Sequence, residues 1–453
     1  MHFYPRILVR SHKERFLQIY PWSICRPPTG VSRLHSSCTV QPNTPFVAAE
    51  DVRRARKPYN FGRYNKRRVA FRVAYIGWDY HGFARQKLTT RTVEERIFDA
   101  LLETKLIDST RNCHWSRSAR TDTGVSSVGS VVALDVRSRL PVSRGNVPWQ
   151  TSRHDAINAD VEPINDQSSH LVAGELPYVI MLNKVLPSDI RILAWAPVPP
   201  TFDARYDCLH RTYKYLFDPS GLDTTKMQRA ASQFVGVHDF RNFCKFAKGK
   251  PLAAYRRAID LVSVNRLTDI EDRAFESNIL AGRLYCVTIR ARAFLWHQIR
   301  CMMTILFLIG RGLEDESIVG KLLNVEPSVG KPMYGLADET SLILADCAYS
   351  DIAWYDASAS SLGPAGSLDN MSQRKSADAW LLSQLRLEER KAALKGFMIR
   401  SMLETVGHSI DTSLIGRDDY LRDDRRFGGG ISAYTKIMER KRLEPIESRM
   451  AIR

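Results

Sequence analysis

The sequence predicts an α+β fold with a mostly antiparallel sheet and flanking helices, and three observations carry that prediction. Runs of alternating apolar residues recur between residues 68 and 348, each bounded by turn-forming residues. Two stretches with helical spacing lie among them, one opening on a capping pattern and one almost wholly apolar. Short turns join most of these segments, and no short-period repeat is visible.

In chain order, "VAFRVAYI" places Val69, Phe71, Val73 and Tyr75 on one face, as a half-buried strand requires. "TVEERIFDALLETKLI" is a helix whose Thr92 and Glu95 form a capping box and whose Ile97 and Leu101 share a face. "SVVALDV" (Ser130 to Val136) is the next strand, and the loop "SARTDTGVSS" precedes it. Residues 142–173 are polar and aperiodic and are expected to be an inserted surface loop. "YVIMLNKVL" is a short helix stopped by Pro187, and "IRILAWA" a strand. "RTYKYLF", "RAIDLVSV", "LYCVTIRARA" and "LILADCAY" are further strands. "FLWHQIRCMMTILFLIGRG" is a long buried helix ended by Gly310 or Gly312. "ASASSLGPAGSLDN" reads as a linker, and a short amphipathic helix pattern follows from about Trp380.

Composition bounds the function. The 453 residues suffice for two or three domains, and 44% hydrophobic with 25% charged residues excludes a fibre or a wholly disordered chain. Residues 1–70 hold 14 Lys and Arg against 3 acidic residues, so 11 of the +17 formal charges sit there and the remaining body is only mildly basic. The first twenty residues, Arg-containing and poor in acids, resemble a mitochondrial presequence; "RRARKPYNFGRYNKRR" (Arg53 to Arg68) equally suits a nuclear address or a phosphate-binding arm, and a solvated tail is the plain alternative. Eight scattered cysteines form no CxxC pair and no HExxH occurs, which argues against a zinc module or a disulfide framework. The longest apolar run, Cys301 to Gly310, is shorter than the roughly 18–20 residues of a membrane span, so no membrane is expected. Neither a GxxxxGK[ST] nor a GxGxxG motif calls for a nucleotide, and no metal, nucleotide or redox cofactor is expected.

Asp122 draws the chemistry. "DTG" (Asp122 to Gly124) also suits an aspartic peptidase, but no second copy exists, the preceding segment is polar, and Arg120 is expected to keep the carboxylate ionised, which opposes proton sharing. An ionised aspartate beside arginines suits a nucleophile.

"RTDTGV" with Ser126 beyond it resembles the R-T-D-x-G-V motif of TruA-type tRNA pseudouridine synthases. "YIGWDYHGFARQ" (Tyr75 to Gln86), "LNKVLPSDIRILAWAPVPPTFDARYDCLHRTYKY" (Leu182 to Tyr215) and "AFLWHQIRCMM" (Ala293 to Met303) resemble that family's other segments, in order and spacing, over roughly residues 66–350. "HDFRNFCK" and the later "LEPIESR" are most similar to the eukaryotic branch that modifies uridines 38 and 39 of the anticodon stem-loop.

The resemblance implies two similar halves with an active cleft between them, and in many members a homodimer. It implies tRNA as partner and isomerisation of uridine to pseudouridine with Asp122 as nucleophile, Tyr213 stacking on the flipped uracil and taking the C5 proton, and Arg300 pairing with the nucleophile. Arg120, Arg85, Arg205, Lys214, Lys245 and Arg257 are candidate RNA contacts, each weighed against a plain surface charge. Ala119 stands where the family has glycine, which keeps open a catalytically silent RNA-binding protein on the same fold. On this reading 1–65 is a disordered basic tail, 66–200 and 201–350 are the two catalytic halves, 351–379 is a linker and 380–453 a C-terminal extension. Nucleus and cytoplasm are the expected location, with the mitochondrion as alternative.

Overall fold

The structure, a computed structural model, describes residues 59–142, 146–158, 174–246, 251–267, 284–326, 329–356, 379–392, 398 and 434–451. The tail up to 58, residues 159–173 of the insertion and residues 357–378 of the linker lie outside the described residues.

The first long strand, β1 (Asn65–Tyr75), runs antiparallel to β3 (Ser126–Ser138) and to β5 (Ile190–Pro197). Two short strands, β2 (Ser116–Arg117) and β4 (Val147–Pro148), pair with β3 and β1. In the second half, β6 (His210–Phe217) pairs antiparallel with β10 (Tyr285–Ala291), and β10 with β9 (Leu261–Arg266). The last strand, β11 (Leu342–Ala348), completes a nine-stranded sheet of order β4-β1-β3-β11-β6-β10-β9, with β5 and β2 attached to β1 and β3. Every pairing in this sheet is antiparallel except β3 with β11, where Ser126 and Ser127 lie beside Ile343 and Leu344. That parallel contact joins the strands drawn from before residue 200 to those drawn from after it.

Strand alternation divides the side chains between two faces. On one face, α1 (Val93–Glu103) and α3 (Tyr178–Asn183) pack over Val69, Phe71, Val73 and Trp195 of the first half. In the second half α4 (Thr224–Ser232) and α5 (Gln298–Gly310) pack with Tyr215, Phe217 and Ile289. All 13 residues of α5 are buried, as its apolar run implies; each fully buried Leu, Ile or Phe there contributes about 1.5–3 kcal/mol. A separate cluster of smaller side chains, including Ala70, Val131, Ala133, Ala196 and Leu344, packs with Phe202, Ala204 and Cys208 of the segment between β5 and β6.

The capping box forms only by half: Thr92 Oγ1 accepts the Glu95 N–H at 3.3 Å at the start of α1, but the Thr92 N–H bonds Thr90 O at 3.0 Å and the Glu95 carboxylate is drawn off by Arg85. Other expectations need correction. "RAIDLVSV" is two strands, because the chain breaks at Asp260, whose N–H bonds Arg290 O at 2.8 Å; β8 (Arg256–Ile259) turns away to pair with β7 (Gly236–Asp239) as a separate ribbon. The long helix starts at Gln298, not Phe294, because His297 is left-handed with φ of 62° and no helix continues through such a residue. The insertion holds β4 and a short helix, α2 (Arg153–Asn158). Finally, residues 434–449 of the expected C-terminal extension return to the second half: Ile437 is fully buried, and Arg241 pairs with Glu447. That ion pair joins the "HDFRNFCK" and "LEPIESR" segments.

Candidate active site

The loop between β2 and β3 carries Asp122, and a second sequence motif holds it in place. The hydroxyls of Tyr75 and Thr121 hydrogen-bond at 2.7 Å, the Phe83 N–H donates to Thr121 O at 3.2 Å, and the Gly124 N–H donates to Tyr80 O at 3.2 Å. The Gly77 N–H donates to Ser126 Oγ at 3.0 Å. The "YIGWDYHGFARQ" and "RTDTGV" motifs are therefore two sides of one backbone contact. Its closeness demands glycine: a Cβ on Gly77 would lie 2.0 Å from Val125 O. Gly124, at φ of +78°, closes the turn that follows Asp122.

This loop borders a cavity of about 1080 Å³ lined by residues 116–122, the 203–211 segment, Arg256 to Ala258, and Arg292 to Arg300. Asp122 and Tyr213 both line it. Burial pushes the Asp122 carboxyl above the usual range, against the pull of Arg300, the Trp296 indole and Lys245. The expectation that Arg120 holds this carboxylate ionised fails, because Arg120 is exposed and bonds no acid among the described residues. A carboxylate with weakened solvation is the better nucleophile, so desolvation serves the same chemistry.

Tyr213 presents its ring to the cavity and packs edge-on against Phe294, with centroids 5.2 Å apart. Burial raises its hydroxyl far above the ordinary range, so it stays a neutral phenol. Arg300 is buried on α5, but its guanidinium donates to Ala337 O at 2.7 Å and to Glu339 Oε2 at 2.6 Å. It thus acts on Asp122 through space, and its direct ion pair is with Glu339.

The structure separates the expected RNA contacts. Arg120, Arg205 and Arg257 line the cavity. Lys245 does not line the cavity, but its ammonium lies 4.3 Å from the centre of the ring of Trp296, which does, and it pulls on Asp122 through space. Arg85 does not line the cavity: it pairs with Glu95 on α1 at 2.5 Å and lies over the Phe98 ring. Lys214 does not line it either, since period-two alternation on β6 turns it from the face that Tyr213 occupies. Ala119 takes an ordinary negative φ, and its methyl packs on the small apolar cluster, so the fold accommodates it without strain.

Four further residues belong to the site. Arg211 is buried and donates to Ser118 O at 2.7 and 3.1 Å, to Arg292 O at 2.5 Å and to Arg205 O at 2.9 Å, tying three cavity-lining segments together. Arg256 and Arg292 add exposed cations to the rim. His297 lies with Nε2 3.6 Å from Asp122 Oδ2. An arginine in an alternating strand facing inward was the one sequence signal for Arg211; His297 sits in the "AFLWHQIRCMM" motif but its backbone conformation leaves no mark in the sequence. Among the described residues no group of His, Cys, Asp and Glu is arranged to hold a metal ion.

A desolvated carboxylate and an aromatic ring in a cleft rimmed by arginines suit a nucleophilic enzyme that acts on an anionic substrate. The model of the tRNA pseudouridine synthase family matches residues 230–350. Human tRNA pseudouridine(38/39) synthase is 35% identical over 415 residues, 88% of this chain and 79% of that protein. The Saccharomyces cerevisiae protein of the same name is 34% identical over 407 residues, 88% of this chain and 80% of its own length. The mouse protein is 40% identical over 306 residues, 67% of this chain, and the matched part spans 60% of its length. Tyr213 and Asp122 lie outside the family-model match, but the chain belongs to the tRNA pseudouridine synthase family.

Proposed function

We propose that the protein is a tRNA pseudouridine(38/39) synthase that isomerises uridine in the anticodon stem-loop of tRNA. The observation that carries this is the desolvated Asp122 carboxylate beside the Tyr213 ring on the floor of a cleft rimmed by arginines, in a chain 35% identical to the human enzyme of that name.

The chemistry follows from the residues. A uracil extruded from the stem-loop needs a flat surface, which the Tyr213 ring offers, and an anionic nucleophile, which Asp122 supplies. The reaction breaks the N1–C1′ bond, turns the uracil and forms the C5–C1′ bond; C5 gives up its proton and N1 takes one up, so substrate and product are isomers with no net redox change. Because its hydroxyl stays protonated, Tyr213 relays that proton rather than removing it as a phenolate. Arg300 steadies Asp122 through space. Arg120, Arg205, Arg256, Arg257 and Arg292 bind phosphates around the cleft. Homodimerisation, and a nuclear and cytoplasmic location addressed by Arg53 to Arg68, belong to the same reading and rest on the family resemblance and on that basic run.

The test is pseudouridine mapping of unmodified tRNA transcripts incubated with the purified protein. Pseudouridine at positions 38 and 39 is expected; tight tRNA binding with no isomerisation at any position would replace this reading with that of a silent RNA-binding protein.

A further inference from the structure

We propose that His297 is the positioning residue of Asp122, a neutral hydrogen-bond donor that holds one carboxylate oxygen while the other faces the substrate. The proposal rests on the function given above.

Three observations carry it. The first is reach. Arg300, the cation expected to pair with Asp122, is engaged by Glu339 at 2.6 Å and Ala337 O at 2.7 Å; two rings lie near the carboxylate, the Trp296 indole, which pulls on it as a donor, and His297, its Nε2 3.6 Å from Oδ2. That spacing is longer than a formed hydrogen bond, so the role requires the ring and the carboxylate to close up when tRNA binds.

The second is backbone strain. His297 has φ of 62° and ψ of 10°, a conformation unfavourable to a residue with a Cβ, at the cap of α5 where its side chain makes no capping hydrogen bond. Glycine would meet the needs of the turn better, so the imidazole has another task. The left-handed step closes the turn of residues 295–298 that leads into α5 and sets the ring near Asp122.

The third is charge. The ring is 14% exposed, and burial together with Arg300, Lys245 and Lys331 brings its pKa down to about 4, so it is neutral at physiological pH. A neutral ring beside a carboxylate places its single proton on the facing nitrogen, because a bare lone pair there would repel the oxygen. A neutral donor orients the carboxylate without the full ion pair that would quench its nucleophilicity.

Two variants separate this role from a structural one. His297→Gly relieves the left-handed strain and removes the donor; His297→Gln keeps a donor close to the Nε2 position. With tRNA substrate, the glycine variant is expected to melt no lower than the wild type within a few degrees, to bind tRNA unchanged, and to lose about 10–100-fold in single-turnover rate, the worth of a hydrogen bond to a charged group. The glutamine variant is expected to recover most of that rate. A glycine variant with wild-type rate, or a glutamine variant no faster than the glycine one, would overturn the proposal. Absence of pseudouridine with the wild-type protein under the same conditions would instead remove the function itself, so the two failures are told apart.

Discussion

Arg211 on the floor of the cleft and Arg205, Arg256 and Arg292 on its rim make opposite use of one side chain. Arg211 is buried and spends its donors on the backbone carbonyls of Ser118, Arg205 and Arg292. The rim arginines are exposed and form no ion pair among the described residues. Around Arg211, the floor is fixed by hydrogen bonds and close backbone packing, and it holds the groups that react. The rim side chains, whose backbone is fixed, offer their charge to an anion. Rate and affinity are therefore expected to separate by position, and variants can break that division.

The largest effect is expected at Asp122. Asp122→Asn keeps the shape and removes the nucleophile, so pseudouridine formation is expected to fall at least about 10⁴-fold while tRNA binding stays within a few-fold. The same variant reads the electrostatics. Because the folded protein raises the Asp122 pKa, the folded state binds more protons than the unfolded one as pH climbs from the unfolded value, and stability falls through that window. At neutral pH the charged group thus weakens the fold, and Asp122→Asn is expected to melt higher than the wild type. A lower melting temperature would show that the carboxylate is a structural anchor, and the floor would lose its chemical distinction.

Tyr213 comes next. Tyr213→Phe keeps the ring that packs on Phe294 and removes the hydroxyl, with an expected loss of about 10²–10⁴-fold in single-turnover rate if that hydroxyl relays the C5 proton. Tyr213→Leu also removes the stacking surface and is expected to weaken tRNA binding in addition, by about 1–3 kcal/mol. Near wild-type yield from the phenylalanine variant would take Tyr213 out of the chemistry and leave it a packing residue.

Much of this was legible in the sequence, for identifiable reasons. Strand alternation at Val69 to Tyr75 and the Thr92 cap of α1 are local patterns, legible without knowledge of the rest of the fold. The Asp122 loop was readable because its residue types are unusual together. What eluded the sequence is decided by long-range geometry. Nothing near Arg300 marks that Glu339 captures its guanidinium, nor does any residue near Arg120 show that burial, not that arginine, governs Asp122. Arg85 and Lys214 stood out as cations in family-like segments, and only α1 and the pleat of β6 show where they go. Residues 434–449 read as an appendage because a polar chain segment carries no sign of the core it rejoins.

Arg211 tests the floor as a scaffold. Arg211→Met keeps the bulk of the stem and leaves the carbonyls of Ser118, Arg205 and Arg292 without their shared donor. Each buried group stripped of its partner costs about 1–3 kcal/mol, so a melting temperature lowered by several degrees is expected. The single-turnover rate at a temperature where the variant is folded is expected to fall about tenfold, since the loop start at Ser118 is freed while Asp122 itself is intact. Equal rate with lowered stability would mean that Tyr75, Phe83 and Gly124 hold the loop unaided.

The smallest effects are expected from surface cations, and there the comparison is sharpest, because the same substitution is placed on and off the rim. Arg256→Gln with Arg292→Gln removes two exposed charges from the cavity mouth. If they neutralise phosphates, tRNA affinity is expected to fall a few-fold at moderate salt, and the slope of log affinity against log salt to become shallower by about 1 for each phosphate left without its arginine. The rate at saturating tRNA is expected to be unchanged, since neither side chain supports the Asp122 loop. Arg85→Gln with Lys214→Gln removes the same charge from positions outside the cavity. A charge acting only through the net charge of the molecule would give both pairs the same salt slope, whereas screening over about 8 Å at physiological ionic strength confines a direct effect to cations close to the phosphates. Direct phosphate binding at the rim instead predicts a shallower slope for the first pair alone, with the second pair within twofold of the wild type in affinity and losing, at most, the small stability of the Arg85–Glu95 ion pair. Filter binding across a salt series with both double variants separates the two outcomes.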